Sequence, residues 1–331
     1  MVAFDVADIT APPIDEIKAE KSNILVKYML DALENARYTP ESLEATATAI
    51  GVKAYSSWHK QMGERKDRMY KISPSDQKCL RESCLKRVGI KPDYQDNAKA
   101  GTFCAGDIGE DFLRGLAILG EAPLVDSNVT LRIPLVDTQE DPPTVGEIRA
   151  ETKRASDGEI DYADSEILTS WTLGECDDLL QEPGMGLFVT DMKTMTQWNF
   201  NAFAKGTYED GWGYHSQLKV YSLSPDLPED PVGLLLAALN KNTWRHIAEN
   251  RIALPDEAFR QWWYNRCKIV LASNAALLPP RPNFATVTKR PRLKVLEVDD
   301  FKCNYCDRVV TCFADLGDFK ETSPKKWRAS C

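Results

Sequence analysis

The sequence has no run of about eighteen apolar residues, so no segment reads as a membrane span. Its first residues, Met1-Val2-Ala3-Phe4-Asp5, lack the basic segment and apolar run of a secretion signal, so the expectation is a cytoplasmic protein. A reducing compartment argues against disulfides. Histidine is scarce: His59, His215 and His246 are widely spaced, which speaks against a histidine-rich zinc site. A surplus of positive charge is missing as well. The net charge of the 331 residues is -9, so any contact with nucleic acid must come from local basic patches. No internal repeat or low-complexity segment stands out. With 43% apolar residues, the chain can build one large domain or two modest ones.

What it does have is clustered thiols. Of nine cysteines, three lie within ten residues: Cys303-Asn304-Tyr305-Cys306, five residues, then Cys312. A Cys-x-x-Cys turn lets two thiolates reach one centre. Spacing alone leaves zinc and iron–sulfur chemistry open. It also leaves Cys79, Cys84, Cys267 and Cys331 competing as the fourth ligand.

The N-terminal hundred residues read as helical, over Asp15–Arg37, from Thr39-Pro40 onward and after Ser73-Pro74. Ala105–Leu119 is a further amphipathic helix. Val129, Leu131, Ile133 and Leu135 alternate as a strand, Gly158–Tyr162 is a short second candidate, and Gly186–Asp191 reads as a buried central strand. The polar stretches 137–157 and 164–184 are expected as loops. A helix over Ser216–Leu223, a strand over Val232–Leu239 and a long helix over Pro255–Leu278 follow, and the last fifty residues are expected as a cysteine-bearing tail.

Asp191-x-Lys193 ends the central apolar run. A carboxylate there suits Mg²⁺ or Mn²⁺, which prefer oxygen ligands, and the lysine two residues on shares its face of the strand. Glu110 stands on the preceding helix, Asp161 on the short strand candidate, and Gln217 and Tyr221 on one helical face. The order is helix acid, strand acid, strand acid-x-lysine, then Gln-x-x-x-Tyr. It resembles the RecB-like branch of the PD-(D/E)xK nuclease superfamily over about residues 73–315. The resemblance implies an α/β fold, with a mixed central sheet flanked by helices and a restriction-endonuclease-like core. It implies Asp161 and Asp191 as main metal ligands, Lys193 as catalytic lysine, and Gln217 and Tyr221 as supporting residues. Glu110 takes a position where many members carry a metal-binding histidine.

Within that branch, one set of nucleases pins an iron–sulfur cluster with one cysteine before the core and three after it. The AddB nuclease domain and the CRISPR-associated RecB-like exonucleases are similar in this way. Lys78-Cys79-Leu80-Arg81 is similar to their upstream segment, which implies a [4Fe–4S] cluster on Cys79, Cys303, Cys306 and Cys312. Such a link closes a long loop, a constraint of about 4–5 kcal/mol by analogy with a cross-link.

The resulting expectation is an N-terminal helical region (1–72), a nuclease core closed by the cluster (73–315) and a basic tail (316–331). The implied activity is a Mg²⁺- or Mn²⁺-dependent deoxyribonuclease acting on DNA ends or single strands, in a bacterial or phage-infected cell. Recombination, repair or adaptation proteins are its implied partners. The rival expectation is a non-catalytic nucleic-acid-binding protein with a structural four-cysteine zinc. Lys60–Lys71, Lys289–Lys294 and Lys325–Arg328 are the basic patches, and Trp198, Trp212 and Tyr214 are candidates for stacking on bases.

Overall fold

A computed structural model describes residues 20–35, 72–75, 79–92, 97–137 and 141–274. It also describes most of 276–330 and isolated positions between 44 and 55. The helix expected from Thr39, the basic patch at Lys60–Lys71 and Cys331 lie outside the described residues.

A six-stranded mixed sheet organises the chain. Its strands are β1 (Glu20–Ser22), β2 (Leu124–Pro134), β3 (Trp171–Glu182), β4 (Gly186–Met195), β5 (Gly233–Asn240) and β6 (Ile247–Ile252), in the order β1-β6-β5-β4-β3-β2. Only the β4–β5 pair is parallel. Gly-Leu-Leu-Leu-Ala-Ala-Leu-Asn of β5 is buried at every position, as a strand covered on both faces requires. Alternate residues feed two cores. Phe188, Met192, Leu235, Ala237 and Leu239 pack under α1 (Val26–Asn35) and α3 (Asn97–Leu119). Leu187, Val189, Leu234, Leu236 and Ala238 pack on the other face. That second core includes residues of α2 (Leu80–Arg87), α6 (Gln197–Ala204), α7 (Tyr214–Tyr221) and α8 (Glu257–Ala272). This α/β arrangement, a mixed sheet flanked by helices, is the coarse architecture expected from the sequence.

The start of α1 is held from a distance. The Glu249 carboxylate on β6 accepts the amides of Ile24, Leu25 and Val26 at 2.8, 2.7 and 2.9 Å, satisfying donors that a helix start leaves open. Glu249→Ala orphans these amides and should cost about 2–4 kcal/mol in urea unfolding. A change below about 0.5 kcal/mol would mean that water caps the helix just as well.

Three expectations are corrected. Residues 137–157 are not all loop: Val145–Ser156 is a helix, α4, opened by a capping box in which Thr144 and Glu147 satisfy each other's amides. Residues 164–184 contain α5 (Glu166–Ser170) and the twelve-residue β3, whose acidic residues disguise a strand that is buried at most positions. Gly158–Tyr162 is no strand. It is the turn after α4, where Asp161 caps a one-turn 3₁₀ helix by accepting the amide of Ala163 at 2.8 Å.

The C-terminal segment is also more than a tail. It forms a second, antiparallel sheet from β7 (Val287–Arg290), β8 (Val295–Val298), β9 (Phe319–Ser323) and β10 (Lys326–Ser330), in the order β7-β8-β10-β9. The short helices α9 (Phe301–Asn304) and α10 (Val309–Cys312) lie between β8 and β9 and bear Cys303 and Cys312, with Cys306 in the link between them. Among the described residues no helix is long and apolar enough to cross a membrane.

Candidate active site and metal centre

The site is made by two strands that part. β3 and β4 pair over Asp178–Glu182 and Gly186–Thr190, and beyond that point each keeps only its other neighbour, β2 or β5. At the fork, a side chain replaces the lost backbone partner: Asp177 Oδ2 accepts the amide of Met192 at 2.7 Å. The wedge is filled by α7. Gly174 on β3 has the ring of Tyr221 against it, and a Cβ there would stand 2.8 Å from Tyr221 Cε1. Asp210 fixes the start of α7 by accepting the amides of Tyr214, His215 and Ser216.

Lys193 is the hub. Its Nζ donates to Asp191 Oδ1 at 2.9 Å and to Glu110 Oε1 at 3.4 Å, and stands 3.8 Å from Asp177 Oδ2. Glu110 comes from α3, which can lie directly on β4 because position 109 is glycine. A Cβ there would fall 2.2 Å from Thr194 Cγ2. One turn further along α3, Arg114 clamps the helix to the fork. It donates to Asp178 Oδ1 at 2.9 Å, to Asp111 Oδ1 at 2.7 Å and to the Asp177 carbonyl at 3.4 Å. Gln217 Nε2 donates to the Tyr221 hydroxyl at 2.7 Å, and the ring of Tyr214 faces the Lys193 ammonium at 5.8 Å.

The structure thus brings together Glu110, Asp191, Lys193, Gln217 and Tyr221 among the residues singled out in the sequence. It does not bring Asp161, whose carboxylate is taken by its own turn and which acts electrostatically on Arg87. Asp177 stands where Asp161 was expected. The sequence signal for it was weak: one acid in the run Glu175-Cys176-Asp177-Asp178, which reads as solvated. Tyr214 lies beside the hub, and Trp198 remains fully presented to solvent at 84% exposure.

Burial and crowding of like charges shift these groups. Desolvation, opposed by Lys193 and reinforced by Asp177, pushes the Asp191 carboxyl up to about 7. Burial drives Glu110 well above the carboxylate range, with Lys193 opposing and Asp177 and Asp191 adding to it. Burial works to lower Lys193, but Asp191, Glu110 and Asp177 outweigh it and hold the ammonium charged. Once ionised, three carboxylates around one ammonium give the pocket a net negative charge, the state that a bound cation would select. Asp191 Oδ2 is buried there, with the Lys193 ammonium 2.9 Å away as its charged neighbour. A set of three carboxylates converging on one buried place fits a hard divalent cation, which would compete with the Lys193 ammonium for the Asp191 oxygens.

The sign of the pH effect follows. Acids whose folded pKa is raised bind more protons folded than unfolded, so the metal-free protein loses stability as pH rises from about 4 through about 7. A divalent cation competes with those protons, and its affinity rises across the same window. Mn²⁺ should therefore raise the melting temperature more at about pH 8 than at about pH 5. Equal shifts at both would place the ion elsewhere.

The clustered cysteines lie in a second place. Cys303, Cys306 and Cys312 share an apolar cluster with Val298, Val309 and Phe313. Cys79, at the start of α2, lies near enough to Cys312 for their charges to interact. Arg308 and Arg281 hold this module: Arg308 Nε donates to the Ile90 carbonyl after α2 at 2.8 Å, and Arg281 Nη2 to the Cys312 carbonyl at 2.7 Å. Cys267 is buried in the main core, with Trp263 and Val270. Among the described residues one close group of potential ligands stands out, Glu82, Cys306 and Asp307, with donor atoms within 4.8 Å of one another.

Compared with family models, curated proteins and solved structures, the chain matched none of them.

Proposed function

We propose that this chain is a metal-dependent DNA nuclease with a restriction-endonuclease-like core, acting as an exonuclease on DNA ends or single strands. One observation carries the reading: Glu110, Asp177 and Asp191 surround Lys193 where two paired strands fork. A Mg²⁺ or Mn²⁺ ion held by these carboxylates would lower the pKa of water and neutralise phosphate charge. Lys193, kept protonated by its three acids, orients the attacking water and stabilises charge developing on the phosphate. The Gln217–Tyr221 pair forms the polar floor of the wedge, and Asp210 and Arg114 keep the elements bearing these groups in register.

The cysteine module supports the same reading. Cys79 begins α2 and interacts electrostatically with Cys312, and Cys303, Cys306 and Cys312 share one apolar cluster, a grouping that a [4Fe–4S] cluster would tie together. Its role would be to fasten the C-terminal sheet to α2.

Incubation with end-labelled single-stranded DNA and Mn²⁺ tests the activity. Mononucleotides or short products are expected, and Lys193→Ala should lower the rate by about 10²–10³-fold. Blocking the 5′ or 3′ end separates exonuclease from endonuclease action. Undiminished cleavage by the Lys193 variant would remove this site from the chemistry.

A further inference from the structure

Charge is distributed unevenly in this acidic chain. Residues 258–296 contain eight Lys or Arg residues and no Asp or Glu, in a chain whose net charge is -9. The stretch runs from α8 through the 279–281 segment to the β7–β8 hairpin. Arg260 and Lys268 are exposed on α8, and Lys289, Arg290, Arg292 and Lys294 are exposed on the hairpin. Four cations thus stand within six residues, where Arg290 pairs across to Val295 and the chain turns back. Of these, Arg290 is engaged with Glu297 at 3.3 Å while remaining half-exposed.

This surface is fixed to the rest of the molecule. Arg81 of α2 bonds the Pro279 carbonyl. Arg281 bonds the Cys312 carbonyl and stacks over the Phe313 ring at 4.6 Å. Arg266 of α8 stacks near Trp262 and bonds Ser83 Oγ on α2 at 3.1 Å. The cations therefore sit on elements that are tied to α2 and to the cysteine module. Glu297 and Asp315 answer Arg290 and Arg281, but the cations outnumber these acids; like charges in such excess cost folding free energy through self-repulsion, and a polyanion relieves that cost.

We propose that the exposed cations of α8 (Arg260, Lys268) and above all those of the β7–β8 hairpin (Lys289, Arg290, Arg292, Lys294) form a docking surface for the phosphate backbone of a nucleic acid, separate from the site at Lys193. The proposal deepens the nuclease reading by assigning the grip on substrate to a second place, and its test does not depend on cleavage. Each side chain that neutralises a phosphate releases counterions. Log affinity therefore falls against log salt by about 0.7–0.9 per contact.

The experiment measures binding of fluorescein-labelled single-stranded and duplex oligonucleotides by anisotropy, without divalent cation, across a salt series. The full chain is compared with a variant carrying Lys289→Gln, Arg290→Gln, Arg292→Gln and Lys294→Gln. A second variant carries Arg260→Gln and Lys268→Gln, and a control neutralises Arg149 and Lys153 on α4. The hairpin variant should bind at least about 10-fold more weakly at low salt, with a slope shallower by about 2–3. The α8 variant should lose a smaller share, and the control should match the parent. Thermal melting confirms that each variant is folded. An unchanged slope and affinity in a folded hairpin variant, or an equal loss in the control, would overturn the proposal. Binding that is lost while Lys193-dependent cleavage is absent even in the parent would sink the nuclease reading and leave the docking surface standing.

Discussion

Asp177→Asn lowers Mn²⁺-dependent DNA cleavage by roughly 10²–10³-fold or more, whereas Asp161→Asn leaves it within about a factor of two. The contrast comes from where the two carboxylates stand. Asp177 is at the fork, 3.8 Å from Lys193 and bonded to the amide of Met192. Asparagine can still accept that amide, so the strands keep their positions while the charge that would face a cation is lost. Asp161 spends its carboxylate on Ala163 in an exposed turn after α4. The measurement is cleavage rate against Mn²⁺ concentration for both variants. A large loss with Asp161→Asn and none with Asp177→Asn would assign the metal to a different site from the one at the fork.

The second large effect concerns the cysteines. Cys306→Ser should remove the brown colour and visible absorbance expected of protein purified without oxygen, and lower stability by several kcal/mol, since a metal centre contributes its binding energy to folding. Cys306 sits in the apolar cluster that joins α9, α10 and β8, and it shares a close ligand group with Glu82 of α2. Cys267→Ala provides the contrast. Its thiol is buried among core side chains, with Arg266 and Tyr264 as its electrostatic neighbours, so its loss should cost packing energy of about 1–3 kcal/mol and leave the spectrum intact. A colourless parent protein containing stoichiometric zinc would replace the iron–sulfur reading. An unchanged spectrum in Cys306→Ser would exclude that residue as a ligand.

Much of the site was legible because its residues punctuate apolar patterns. Asp191 and Lys193 end the central strand, Glu110 interrupts an amphipathic helix, and Gln217 and Tyr221 share a helical face. These positions depend on local periodicity, which a single sequence carries. Asp177 was not legible, because its strand is stabilised by a long-range device. Glu175, Asp177 and Asp178 make β3 look solvated, but the fully buried Asp178 is compensated by Arg114 on α3, sixty-four residues away, with its carboxyl shifted to about 6 by burial. The same applies to the start of α1, capped by Glu249 from the far side of the chain. By contrast, α4 was missed although its signal is local. Thr144-Val145-Gly146-Glu147 is a capping-box sequence that the neighbouring prolines and acids obscured. The C-terminal strands were hidden for a further reason. They are four or five residues long and are specified by pairing with one another more than by any alternation of their own.

The most direct test of the active-site account is a crystal structure of the wild-type protein with Mn²⁺, read from its anomalous signal. The account predicts an ion at the β3–β4 fork, about 2.1 Å from oxygens of Asp177 and Asp191 and within reach of Glu110. An ion bound elsewhere with the fork empty, or Lys193 still locked to Asp191 with no density beside it, would contradict it.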